Sequence, residues 1–129
     1  MERWELKPLE SVGSIMFGMD RKEARKRLGD QFTEFRKTRW SKNTTDDYGR
    51  FHVFYTPDDR VEAVEFHKGV EIVLNGQTVF PIKTKEIEKV LPDIEKDDVG
   101  YISVKNSIAY QTNPVDAECF LAAGAGYYA

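Results

Sequence analysis

Two histidines, a single cysteine and several aspartate pairs are the residues of this 129-residue chain whose types could do chemistry. His52 and His67 stand near Glu65, and imidazole with carboxylate is a donor set that metal ions accept. A metal site needs three or four donors that converge. If Phe51–Tyr55 and Val61–Phe66 pair about Asp58-Asp59, His52 faces Glu65 and not His67. That register makes the His–Glu pair a structural contact, so no metal ligands and no cofactor are assigned. Cys119, between Glu118 and Phe120, reads as a buried small hydrophobe. The sequence has no Gly-rich phosphate loop, nucleophile elbow or Ser/His/Asp order. No catalytic residue is assigned, and the chain is not expected to be an enzyme.

The carboxylates come in doublets: Asp46-Asp47, Asp58-Asp59 and Asp97-Asp98. General acid–base work needs two carboxyls in a shielded cleft with separated pKa values, whereas doublets in turns are solvated. Clustered at one edge of a sheet, they would instead attract a basic partner and speed its association. Tyr48, Tyr55 and Tyr101 lie nearby as aromatic anchors. The expected partner-binding set is therefore Asp46, Asp47, Tyr48, Tyr55, Asp58, Asp59, Asp97, Asp98 and Tyr101. The net charge of −3 is unevenly spread. Asp20–Lys42 holds nine Lys/Arg against four Asp/Glu, and the remainder holds ten against eighteen. Cations beside Trp40 suit nucleic-acid backbones. A solvated helix face followed by a protected edge strand accounts for them better, and a pI near 5.5 argues against a nucleic-acid binder.

These residues need a scaffold, and the sequence repeats itself. At an offset of 63, the segment from Gly13 to Leu28 matches Gly76 to Leu91 at six of sixteen positions. Further on, Asp46-Asp47-Tyr48-Gly49 resembles Asp97-Asp98-Val99-Gly100, and Val61–Phe66 resembles Val115–Phe120. Each copy reads as a strand, a helix and further strands. Asp20 is an N-cap with Glu23 completing a capping box, and Gly29 stops the first helix. Thr84 caps the second, and Pro92 ends it. Asn75-Gly76 is a hairpin turn. The expected fold is α+β: tandem strand–helix–strand–strand units forming a mostly antiparallel sheet, with two helices on one face. One domain over 1–129 is expected, with repeats at about 12–75 and 76–128.

The composition, 40% apolar with 8 Phe, 6 Tyr and 2 Trp, supports a real core. The charged start and the lack of any disulfide pair favour the cytoplasm. No apolar run approaches the roughly 20 residues of a membrane span.

The segment Ser14–Gly29, followed by Tyr48-Gly49 and Phe51–Phe66, resembles bacterial immunity proteins of the polymorphic-toxin and contact-dependent growth inhibition type. The shared pattern is an apolar strand, Gly-Met-Asp opening a helix, Leu-Gly closing it, and a hairpin carrying Val-Glu-Ala-Val-Glu-Phe. It covers about half the chain. The same Gly-Met…Leu-Gly start also resembles the repeats of beta-lactamase-inhibitor proteins and of small outer-membrane assembly lipoproteins, which are exported. The resemblance implies a cytosolic antitoxin that neutralises a cognate toxin domain, for example a basic nuclease. The protein would be a monomer or weak dimer with no nucleic-acid or membrane partner. The alternative is a small ligand-binding or enzymatic domain with a site near His52, Glu65 and His67.

Overall fold

Phe51 pairs with Phe66, His52 with Glu65 and Val53 with Val64, the expected register. The connecting turn is longer than two residues. A bulge between Phe54 and Tyr55 shifts the pairing, Thr56 N–H bonds the Arg60 carbonyl at 2.8 Å, and Asp59 takes a positive φ.

The computed structural model describes residues 2–128. Its strands are β1 (Glu2–Lys7), β2 (Ser11–Val12), β3 (Ile15–Met16), β4 (Thr33–Phe35), β5 (Thr45–Asp47), β6 (Phe51–Tyr55), β7 (Val61–Phe66), β8 (Val70–Leu74), β9 (Gln77–Phe80), β10 (Glu95–Lys96), β11 (Gly100–Ser103), β12 (Ile108–Thr112) and β13 (Ala117–Ala123). The helices are α1 (Arg21–Leu28) and α2 (Ile87–Val90), the latter entered through a 3-10 turn at Thr84–Glu86. The fold is α+β, and every strand pairing is antiparallel except β1 with β8.

A large sheet runs β10-β11-β12-β13-β7-β6-β5-β4, and a small one runs β3-β2-β1-β8-β9. Each half of the chain supplies a hairpin (β2–β3, β8–β9), a helix and a four-stranded meander (β4–β7, β10–β13). Neither half is the expected strand–helix–strand–strand unit, and β8 falls before the expected boundary at residue 76. Residues 63 apart make matching contacts at the helix entry. Arg21 N–H bonds the Asp59 carbonyl at 2.8 Å, and Thr84 N–H bonds the Val115 carbonyl at 3.0 Å. Met19 and Ile82 accept from Val61 and Ala117. Downstream the sequence match misleads. Val61 corresponds to Ala117, not Val115. Asp46-Asp47 lies within β5, while Asp97-Asp98 lies in the loop between β10 and β11. The two doublets are not one turn met twice.

One apolar core joins the halves, with residues from both sheets and both helices. Its spine is a row of aromatics across the large sheet: Phe51, Phe66, Phe120, Tyr110 and Tyr101 are successive cross-strand neighbours. Trp4 of β1 sets its ring edge-on to Phe51 and Phe66 at 4.9 and 5.0 Å, which holds the small sheet onto this spine.

The helix ends follow their local chemistry. Asp20 caps α1 by accepting from Lys22 N–H at 3.0 Å. Gly29 ends it at φ +91. Glu23 pairs with Arg27 at 3.1 Å instead of closing a capping box. Thr84 does not cap; its hydroxyl donates to the Asn113 carbonyl at 2.7 Å.

Gly13 and Gly76 both turn hairpins at positive φ, but they differ in surroundings. A Cβ at Gly13 would meet the Trp4 ring at 2.7 Å, while one at Gly76 meets nothing within 4 Å. Gly76→Ala should cost about 1–2 kcal/mol of left-handed strain. Gly13→Ala should cost roughly 1–3 kcal/mol more, because Trp4 must move within a packed core. Urea denaturation of both variants checks this; equal losses would show that Trp4 gives way freely.

Candidate functional site

Register decides which chemical groups meet on the outer face of the large sheet, opposite the core. Asp47, His52, Glu65 and Leu121 form one cross-strand row on this face. His67 lies two residues beyond Glu65, so an extended chain carries it to the same face as a diagonal neighbour of His52. Its N–H bonds the Arg50 carbonyl at 2.8 Å, which fixes the backbone just past β7. The two imidazoles lie 5.0 Å apart, centroid to centroid. His67 Nε2 is 3.2 Å from Glu65 Oε1, and His52 Nε2 is 3.2 Å from Asp47 Oδ1. The donor atoms of His52, Glu65 and His67 all fall within 4.8 Å of one another. The expected separation of the two histidines is thus corrected: position 52 faces 65, but 67 joins them diagonally. The period-2 spacing of 65 and 67 was the signal for it.

A second cluster sits on the inner face, where α1 meets β5. Asp46 is fully buried. It accepts from Arg21 at 2.9 Å, from Arg25 twice at 2.8 Å, and from the Tyr55 hydroxyl at 3.0 Å. Arg21 also lies over the Tyr55 ring, 4.2 Å from its centroid. Burial alone pushes the Asp46 carboxyl up, but the two guanidinium groups outweigh it and hold it below its usual range. Burial followed by the charge on Asp46 raises Tyr55. This network joins helix to sheet and reaches on through Arg21 to Asn43, Thr44 and Asp59 and through Arg25 to Glu34, while Arg21 Nε is left without a partner.

Several expected contact residues therefore move. Asp46 and Tyr55 belong to the buried network, and Tyr101 is a core member at 6% exposure. None of the three offers surface to a partner. Tyr48 is half-buried and stacked on Phe51 at 4.9 Å, and burial pushes its hydroxyl up to about 12. The remaining carboxylates do not share one edge. Asp58 and Asp59 lie in the β6–β7 turn, and Asp97 and Asp98 in the β10–β11 turn at the opposite end of the sheet. Asp59 is held below the usual carboxylate range by Asn43 and Arg21.

Two concavities border these groups. A cavity of about 410 Å³ on the core side is lined by Arg3, Trp4, Arg27, Tyr48 and Arg50, among others. The Trp4 indole N–H and the Tyr48 hydroxyl are buried without hydrogen-bond partners. An open cleft of about 580 Å³ lies at the β10–β11 and β12–β13 turns, with Asp97, Asp98, Val99 and Glu118 in its lining.

No protein-family model, curated protein or solved structure matches this chain. Among the described residues no helix is long and apolar enough to cross a membrane.

The buried network yields a stability prediction. Removing one partner from a buried ion cluster leaves the others uncompensated, so Asp46→Ala should cost about 3–5 kcal/mol. Because the folded pKa of Asp46 lies below its unfolded value of about 3.9, its contribution is present above that pH. It is lost as the pH falls through the folded value. Urea denaturation as a function of pH should show a steep acid loss in the wild type and a shallower one in Asp46→Asn.

Proposed function

We propose that this chain is a non-enzymatic binding protein of the immunity type, a cytosolic antitoxin that holds a cognate toxin domain. The observation that carries this reading is the cleft at the β10–β11 end of the large sheet. Asp97, Asp98 and Glu118 line it, with Lys96 as the one cation in its lining. Val99 in the cleft and Val115 on the neighbouring turn are each 59% exposed. Exposed apolar groups amid carboxylates suit a basic surface with an apolar anchor. A basic nuclease domain has that chemistry. Asp47 and Tyr48 lie at the same end of the sheet, with four strands between β5 and β11, and Asp58 and Asp59 stand at the far end.

The test is isothermal titration and stopped-flow association with whatever toxin domain the gene upstream of this one is found to encode. Wild-type protein should bind one to one and abolish toxin activity. Asp97→Lys with Asp98→Lys should slow association about tenfold or more at low salt. Asp58→Lys, at the opposite end, should leave it unchanged. An unchanged rate in the double variant would move the interface elsewhere; no binding by the wild type would end the immunity reading.

A small-ligand reading has one observation in its favour. Two unpartnered buried donors, Trp4 Nε1 and Tyr48 Oη, belong to residues lining a cavity that also has three arginines in its wall. An anionic aromatic molecule would suit it. In a Trp40→Phe background, saturable quenching of Trp4 fluorescence by such molecules would support this reading.

A further inference from the structure

We propose that His52, Glu65 and His67 form a site for one divalent transition-metal ion, with Asp47 as the carboxylate that orients His52. Three observations converge. The first is geometry. Three donor atoms, from β6, from β7 and from the residue just past β7, lie within 4.8 Å of one another. Donors about a tetrahedral ion sit roughly 3.4 Å apart at the usual zinc–nitrogen and zinc–oxygen distances. Side-chain rotation of about an ångström closes the difference, because register already fixes the backbones on β6 and β7.

The second is charge. Asp47 and Glu65 have only imidazoles within ion-pair distance among the described residues; no lysine or arginine pairs with either. With neutral histidines the group carries two uncompensated negative charges on a partly buried face. A cation completes it. Either a metal ion supplies that charge or protons on the imidazoles do.

The third is an orphaned donor atom. His67 Nε2 is sealed from solvent and makes no hydrogen bond of acceptable geometry, although Glu65 Oε1 is 3.2 Å away. Asp47 Oδ1 stands 3.2 Å from His52 Nε2, so His52 would ligate through Nδ1 with Asp47 as its outer carboxylate. Phe35 sets its ring edge-on to His52 at 5.3 Å and keeps that flank apolar.

Two imidazoles and a carboxylate suit zinc and its neighbours in the transition series and disfavour magnesium and calcium, which prefer oxygen. Three protein ligands leave the fourth position to water. Cys119 is not a ligand here: burial and the charge on Glu65 push its thiol up to about 11, and it bonds Gln111 at 3.2 Å.

The test is titration of the metal-stripped full chain with zinc chloride, followed by calorimetry and thermal unfolding. One zinc ion per chain should bind at micromolar concentration or tighter, and the midpoint of unfolding should rise with zinc concentration. Magnesium and calcium should do neither. The double variant His52→Asn/His67→Asn, and separately Glu65→Gln, should fold without zinc, shown by circular dichroism, and lose the saturable binding. Asp47→Asn should keep one site and weaken it about 10–100-fold. Cobalt should give the intense visible bands of a tetrahedral ion in the wild type and, at higher cobalt, in Asp47→Asn, but not in His52→Asn/His67→Asn or Glu65→Gln. The proposal is overturned if zinc does not saturate the wild type, or if the double variant binds it equally. It is also overturned if stability instead responds to pH through both histidines with no response to zinc, since protons then fill the role.

Discussion

Pairing of Phe66 with Phe120, and of Val64 with Ala122, joins β7 to β13 and so joins the two meanders into one sheet. Successive residues of a strand point to opposite faces, so this register settles both faces at once. Phe66 and Phe120 turn inward to the aromatic spine, and Glu65 and Leu121 turn outward. A slip of β7 by one residue would bury Glu65 and expose Val64 and Phe66. Neither meander has a complete core without the other, because the row from Phe51 to Tyr101 crosses the seam. Trp4 then lays the small sheet over this row. The outer cluster of His52, Glu65 and His67 thus rests on the same constraint that builds the core.

A carboxylate on the inner face is the exception that the packing must accommodate. Asp46 stands in the row of Val53, Val64 and Ala122, where an unpaired charge would be costly. Arg21 and Arg25 descend from α1, and Tyr55 reaches across from β6, so the carboxylate accepts four hydrogen bonds. This network also consumes much of the positive run that the sequence presents. Arg21 and Arg25 face inward, and Arg27 is taken by Glu23 and the Ser14 carbonyl. What reads in the sequence as a basic stripe is in part the fastening of a helix. Arg39 lies 4.4 Å from the ring of Trp40, the most exposed large apolar residue, in the loop between β4 and β5.

Most of the local chemistry was legible, with the Glu23 capping box and the Thr84 cap as exceptions because both side chains bond elsewhere, and long-range chemistry was not. The hairpin about Asp58-Asp59, the Asn75-Gly76 turn, the Asp20 cap and the Gly29 stop each depend on residues close in sequence, and each forms. β1 was readable in principle from the alternation of Trp4 and Leu6 with charged residues, but the charges masked it. Asp46 and Asp47 are identical neighbours with opposite fates, and period 2 alone separates them once β5 is recognised. Short strands such as β5 and β10 carry too few residues to show that period. The burial of Tyr101 and Tyr55 follows from strands that lie far away in sequence.

The outer cluster and the acidic cleft lie toward the same end of the large sheet, yet they ask for different chemistry. Solvated turns hold Asp97 and Asp98, where side-chain carboxylates serve the local backbone: Asp97 accepts from Val99 and Gly100 N–H at 3.0 and 2.8 Å. Such groups act at a distance, through the field they set up in water. Glu65 and Asp47 sit against the sheet beside imidazoles, half shielded, where a short-range ligand gains more than a distant one. An ion bound there would cancel negative charge at the end of the sheet to which the proposed basic partner would be drawn. The two proposed roles would then be coupled in sign: metal occupancy would weaken long-range attraction without touching the cleft itself. The same fixed register that sets Glu65 outward beside His52 would therefore set both.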